Sequence, residues 1–321
     1  MNTPRIDLEA LREGQRRTLA KAITLLESKL ESQQEQAREI LEQALPYSGD
    51  SVRIGISGSP GVGKSTFIEA FGLHLVEQGR RVAVLAVDPS SPVAGGSILG
   101  DKTRMQELSR SELAFIRPSP ASGALGGVAQ KTRETMLLCE AAGHDVILVE
   151  TVGVGQSEYE VAGMVDFFLV LALPNAGDEL QGIKKGIMEL ADALVINKAD
   201  GESVNLAELA RGHYSAAMAL FRNTLQRPPQ VLTCSALERR NIDTIWELIR
   251  EYEQDSKAQG SFQHKRDAQA RDWMHHLLGE MLRDKLEQNE TARGLLPELE
   301  RDVTLHRITP FAAARRLIEC L

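Results

Sequence analysis

The sequence predicts an α/β protein with a mostly parallel, doubly wound sheet and helical N- and C-terminal extensions. Three observations predict it. A buried-strand run from Val52 leads straight into Gly58-Ser59-Pro60-Gly61-Val62-Gly63-Lys64-Ser65, a G-x-x-x-x-G-K-S loop that opens a helical stretch, Phe67 to Val76. Further short apolar, β-branched runs follow at 81–87, 113–116, 145–149, 167–173, 193–196 and from Val231, most of them separated by helical stretches. The two ends of the chain, by contrast, carry helical periodicity without strand runs.

The chain as a whole sets limits. Its 321 residues exceed one average domain, so one large α/β domain with appended helices is expected: 1–48 an N-terminal helical extension, 49–255 the nucleotide domain, 256–321 a C-terminal helical arm. A formal charge of −8 offers no basic face for nucleic acid or an anionic membrane. No apolar run reaches spanning length, and the polar start Met1 to Gln15 lacks a signal-peptide core, so a cytoplasmic protein is expected. Cys139, Cys234 and Cys320 are too far apart for a zinc motif and read as reduced packing thiols. The seven histidines do not cluster with metal-ligand spacing; His275 and His276 point to different faces of a helical stretch.

In order, Leu19, Ile23, Leu26 and Leu30, then Ile40, Leu41, Ala44 and Leu45, lay an apolar stripe that predicts one long helix or two consecutive ones, closed by Pro46 and Gly49. The glycine-rich loop follows. Gly58, Gly61 and Gly63 let successive N–H groups turn inward, and the next helix adds its N-terminal partial charge, so the guest is a polyphosphate. Lys64 is placed between the β- and γ-phosphates and the Ser65 hydroxyl on Mg²⁺. Ser59 stands where some dimeric P-loop ATPases carry a lysine donated across their interface, which disfavours that mechanism.

Asp88 ends the second strand on the crevice side of the sheet, within reach of the Mg²⁺ shell or the attacking water; an Asp before Pro89 also starts turns. Gly95 to Met105 combines glycines with Asp101, Lys102, Thr103 and Arg104, the composition of a switch that orders around a terminal phosphate and its metal, or of a plain surface loop. After the strand ending at Val149, Glu150-Thr151-Val152-Gly153 matches the second half of a P-loop GTPase site. The carboxylate holds Mg²⁺ through water and the Gly153 N–H reads the γ-phosphate. Val154 occupies the position of the water-orienting Gln of small GTPases, so intrinsic turnover is expected to be slow; Gln156 is a substitute of uncertain register. Pro174 to Gly186 is a charged loop opening a helix, either a third nucleotide-responsive segment, a partner contact or a solvated helix start.

Asn197-Lys198-Ala199-Asp200 follows the strand 193–196 and reads as an N-K-x-D guanine motif. Asp200 accepts from N1–H and the 2-amino group of guanine, whereas adenine would leave a buried carboxylate unpaired. Lys198 lays its stem along the base, Asn197 braces the loop, and Ser235-Ala236 offers the Ala236 N–H to guanine O6. The nucleotide-binding set is thus Gly58, Ser59, Pro60, Gly61, Val62, Gly63, Lys64, Ser65 and Thr66 with Asn197, Lys198, Asp200, Ser235, Ala236 and Leu237. Beyond a polar hinge at 254–260, Met274, Leu277, Leu278, Met281, Leu282 and Leu286 form a helical apolar stripe, followed by a short helix over 310–320. Such a hairpin must bury its stripe, and homodimerisation is the expected answer.

These motifs together resemble the methylmalonyl-CoA-mutase-associated GTPases, the ArgK/MeaB family, which has a human mitochondrial relative. Most specific are Val87 to Pro92 with Gly95 to Met105, Val149 to Glu158, and Gly177 to Gly186. The resemblance implies a P-loop NTPase of the SIMIBI class, a homodimeric G domain that hydrolyses GTP to GDP and phosphate with Mg²⁺. It implies Lys64, Asp88, Asp101, Glu150 and Gly153 as catalytic residues, with Ser65, Asp88, Asp101 and Glu150 around the metal. It implies mobile segments at 89–105, 153–158 and 175–186. It further implies a chaperone of an adenosylcobalamin-dependent acyl-CoA mutase that gates cofactor loading, protection or reactivation, without itself binding cobalamin. Two alternatives carry other biology: a nickel-insertion GTPase accessory protein, whose usual His-rich tail or Cys/His site this sequence lacks, and a nucleotide-sensing binding module linked to basic amino-acid transport.

Overall fold

The apolar runs become seven strands: β1 (Val52–Gly58), β2 (Val82–Val87), β3 (Ala114–Arg117), β4 (Val146–Thr151), β5 (Phe167–Ala172), β6 (Ala193–Ile196) and β7 (Gln230–Thr233). In the computed structural model, which describes residues 6–28, 30–87, 105–118, 125–151, 156–174, 185–219 and 229–321, they form one sheet in the order β3-β2-β4-β1-β5-β6-β7. Every pairing is parallel. β1 lies between β4 and β5, with Ile56 opposite Glu150 and Gly58 opposite Leu171, so its C-terminal end delivers the glycine loop to the crevice above the strand ends.

Successive strand residues point to opposite faces, and each face is covered. Phe167, Leu169 and Leu171 pack with α4 (Lys64–Glu77), α5 (Gln106–Arg110) and α10 (Ile242–Ala258), around Phe67, Phe71 and Trp246. Phe168, Val170 and Ala172 face α6 (Leu125–Ala141), α7 (Gln156–Ala162), α8 (Lys185–Leu190) and α9 (Val204–Ala219). Gly55 is needed on that second face, because a Cβ there would lie 2.7 Å from the Phe168 ring and 2.9 Å from Val161 of α7.

The N-terminal stripe forms three helices rather than one or two: α1 (Leu8–Arg12), α2 (Arg16–Glu27) and α3 (Glu31–Ala44). The breaks are local hydrogen-bond events. Asp7 caps α1 by accepting from the Glu9 and Ala10 N–H groups, Gly14 turns the chain, and Ser28 Oγ accepts from the Leu30 N–H at 3.1 Å. The buried side of α2 and α3, Leu19, Ile23, Leu26 and Ile40, joins the core over α6. Glu27 of α2 pairs with Arg117 at the end of β3.

Two boundaries differ from the sequence reading. Glu150 lies inside β4, which continues to Thr151 because both residues still pair with β2. The stretch 254–258 is the last part of α10 rather than a hinge; the turn comes at Gly260, φ +74°. Contacts divide the chain into two compact units, Met1–Phe262 and Gln263–Leu321. The second contains most of α11 (Ser261–Gln288), α12 (Glu290–Thr304) and α13 (Pro310–Ile318). Within it Ala292, Leu299 and Ala313 are buried, and Asn289 caps α12 while donating to the Cys320 carbonyl at 2.8 Å. No helix of the described residues is long and apolar enough to cross a membrane.

Candidate functional site

β1 ends at Gly58 and α4 begins at Lys64, so the five residues between them wrap the helix N-terminus. Gly63 takes φ +93°, and a Cβ there would lie 2.9 Å from the amide nitrogen of Asn197, so the loop and the 197–200 segment fit together only with glycine. Lys64 Nζ donates to Gly58 O at 2.7 Å and Ser59 O at 3.3 Å, which holds it over the loop where a polyphosphate would receive it. Burial lowers the Lys64 pKa, while Glu150 and Glu158 act in the opposite direction and favour its charged form. Ser65 is half-buried in the first turn of α4, and Glu150 is half-buried beside β1.

The sequence-expected residues that this geometry brings together are Gly58 through Thr66, Glu150, Asn197, Lys198, Asp200, Ser235, Ala236 and Leu237. Asp88, Asp101 and Gly153 lie outside the described residues, as do Val154 and most of the segments 89–105 and 175–186. Thr151, to which the sequence reading gave no part, donates from Oγ1 to Ser57 Oγ at 3.0 Å, both buried, joining β4 to β1 just below the loop.

The guanine half is a dense hydrogen-bonded unit. Asn197 is buried; its Nδ2 donates to Val62 O at 2.9 Å, and its Oδ1 accepts from the Ala236 N–H at 3.1 Å and the Cys234 thiol at 3.4 Å. Lys198, with φ +60°, donates to Gly61 O at 2.8 Å. Ser235 Oγ donates to Asp200 Oδ2 at 2.6 Å and accepts from the Glu238 N–H, which fixes the Asp200 carboxylate. In this arrangement the Ala236 N–H faces Asn197, and Leu237 stands 79% exposed at the rim. Cys234 and Arg240, which donates to Ala199 O, complete the unit; a buried thiol next to Ser-Ala gave no sequence signal because its partner is 37 residues away. Burial, with Asp200 adding to it, raises the Cys234 thiol pKa to about 12, so it stays a neutral donor.

Asn197 and Lys198 cross-link the 197–200 segment to the glycine loop, so the two sequence-expected halves form one contiguous site. The chain matches the family described as methylmalonyl-CoA mutase-associated GTPase MeaB over residues 19–291. This chain belongs to that family. It is 49% identical to the GTPase ArgK of Escherichia coli, over 97% of this chain and 95% of that one. It is 45% identical to the mitochondrial methylmalonic aciduria type A homolog of Mus musculus, over 96% of this chain and 77% of the mouse protein. The crystal structure of an LAO/AO transport system kinase, 42% identical, superposes with a TM-score of 0.79 over 97% of this chain and 95% of that one. As a MeaB-family member the protein is a P-loop GTPase that binds guanine nucleotide and hydrolyses GTP.

The residues chemically suit that reaction. Loop N–H groups and a lysine at a helix N-terminus are groups that can neutralise phosphate charge and polarise a γ-phosphoryl group without covalent help from the protein. The Asp200 carboxylate, braced by Ser235, is an acceptor of the kind that can tell guanine from adenine.

Proposed function

We propose that this GTPase is the G-protein chaperone of an adenosylcobalamin-dependent acyl-CoA mutase, with methylmalonyl-CoA mutase as the client, and that GTP binding and hydrolysis gate cofactor loading, protection or reactivation. The observation that carries the reading is the MeaB match across residues 19–291, most of the chain, including the nucleotide site and much of the C-terminal helical region. Mg²⁺ is the metal that suits the site. Ser65 in the first turn of α4 and Glu150 near the end of β4 are hard oxygen donors, and a P-loop Mg²⁺ takes its remaining ligands from phosphates and water. Asp88 and Asp101 complete the acidic set in this reading, and Gly153 reads the γ-phosphate. Cobalamin belongs to the client.

The protein works as a cytoplasmic homodimer in this proposal. Met274, Leu278, Met281 and Leu282 are 48–66% exposed along α11, an apolar stripe suited to a second copy of the same helix. Pull-down from native cytosol with GDP and with a non-hydrolysable GTP analogue tests the client. Recovery of a cobalamin-dependent mutase is expected; recovery of a transporter component or a nickel enzyme in its place would overturn the proposal.

A further inference from the structure

Arg240 closes the turn after β7 and reaches back to the segment that carries Asp200. Its backbone pairs with Ser235 in an isolated antiparallel bridge, the Arg240 N–H donating to Ser235 O at 2.9 Å and the Ser235 N–H to Arg240 O at 3.2 Å. Its guanidinium donates from Nη2 to the Ala199 carbonyl. One residue thus holds both neighbours of the Asp200 carboxylate: Ser235, whose Oγ donates to Oδ2 at 2.6 Å, and the peptide unit that joins Ala199 to Asp200. The Ala199 N–H donates in turn to Cys234 O at 2.9 Å, so the backbone entering Asp200 is tied on both sides of Ala199.

The turn is built around this reach. Arg239, φ +53°, and Asn241, φ +60°, flank Arg240 in the left-handed region, where non-glycine residues persist only when their surroundings over-determine them. Arg239 is held by Glu77 at 3.1 Å and Glu107 at 3.0 Å, and Asn241 Nδ2 donates to Thr233 O at 3.0 Å. The Arg240 side chain also lies 3.4 Å from Glu238, but with the two side chains 45% and 51% exposed that pair contributes little. The contact with consequence is the one to Ala199 O, because a planar peptide hands its orientation to the next residue. A carboxylate that accepts from N1–H and the 2-amino group of guanine together needs both oxygens aimed at the base edge, so a small rotation that spares one bond loses the other.

We propose that Arg240 is a positioning residue for base selection: by holding the Ala199–Asp200 peptide and the Ser235 backbone it sets the angle at which the Asp200 carboxylate meets the base, and so governs discrimination of guanine from purines that lack the 2-amino group. The inference rests on the guanine-nucleotide reading of Asp200 and is independent of the client.

The test measures the affinities of the full chain for GDP and for inosine diphosphate, which keeps N1–H and lacks only the 2-amino group, by calorimetry. Asp200→Ala is the reference variant and should bring the two affinities together; an unchanged preference for GDP there would overturn the guanine reading of Asp200 and the inference with it. Arg240→Met keeps the stem and removes the donor. It should lower GDP affinity about tenfold and inosine diphosphate affinity no more than about threefold, and it should change neither in the Asp200→Ala background. Arg240→Lys, which keeps the charge and a donor but not the planar fork, should lie between wild type and Arg240→Met, and it carries the same comparison if Arg240→Met does not fold. A GDP preference that stays at the wild-type ratio, whether both affinities are kept, both fall together or only the thermal midpoint drops, would overturn the inference. So would a loss of GDP affinity that persists in the Asp200→Ala background, which would place Arg240 on another part of the nucleotide.

Discussion

Single residues divide the nucleotide site into a charge-neutralising half and a base-reading half, and each half gives its own prediction. Lys64→Ala removes the only side-chain cation that the loop itself supplies, and GTP affinity measured by calorimetry should fall about a hundredfold while the circular dichroism spectrum is kept. Undiminished affinity would remove Lys64 from the phosphate site. Asp200→Asn keeps shape but exchanges an acceptor for a donor opposite N1–H and the 2-amino group, so preference should shift from guanine toward xanthine nucleotides in competition binding. Asn197→Ala acts differently, because the lost side chain leaves Val62 O and the Ala236 N–H buried without their partner. It should destabilise by about 1–3 kcal/mol in urea unfolding and weaken guanine nucleotide binding together, since one amide braces both halves. The motif residues Lys64, Asn197 and Asp200 were legible in the sequence because spacing and strand context identify them. The hold of Asn197 on Val62 was not, because nothing in a residue's neighbours along the chain says that its amide will meet a loop carbonyl 135 positions earlier.

At the level of elements, two buried ionisable groups fasten α6 and the turn after it to the sheet. The Glu140 side chain is fully buried and accepts from Arg53 Nε at 2.7 Å, Arg53 Nη2 at 2.9 Å, Ser51 Oγ at 2.7 Å and the Gly49 N–H at 2.9 Å, so α6 holds the start of β1. Glu140→Ala strands a partly buried guanidinium and should cost about 3 kcal/mol in chemical unfolding. A loss under about 1 kcal/mol would mean that Arg53 finds solvent instead. His144, buried after α6, has its ring Nδ1 2.9 Å from the Cys139 carbonyl, which places the neutral ring's proton on Nδ1. Burial lowers its pKa from 6.5 to about 4, against the raising effect of that hydrogen bond. The folded state therefore binds fewer protons than the unfolded chain between those values. The stability this contributes is complete above pH 6.5 and is lost as pH falls toward about 4. His144→Gln should flatten the stability profile across that window by about 3 kcal/mol relative to wild type, measured by unfolding at several pH values. Parallel profiles would show that His144 binds its proton in the fold over the same pH range as in the unfolded chain.

For the whole molecule the open question is what covers the apolar stripe of α11. At about 42 Å for its 28 residues the helix is too long for the small α12–α13 cluster of its own unit to need all of it, and Met281 stands 66% exposed. Met281→Asp should convert a dimer to a monomer in sedimentation without changing GTP affinity, because the substitution lies in the unit that does not carry the phosphate loop. A dimer of unchanged stability would place the interface elsewhere.

The sequence by itself determined the strands, the phosphate loop and the guanine motif. Each is written in contiguous residues: a buried parallel strand is an apolar run, a phosphate cradle is a glycine spacing, and a guanine reader is a tetrapeptide at a strand end. Tertiary structure decided the strand order with β1 between β4 and β5, the splitting of the N-terminal stripe into three helices, the hold of Asn197 on Val62 from 135 residues away, and the burial of Glu140 and Glu158. These depend on which distant segments meet. Periodicity tells a carboxylate which face of its helix it occupies, but only the packed neighbour tells it whether that face meets water, an arginine or a phosphate.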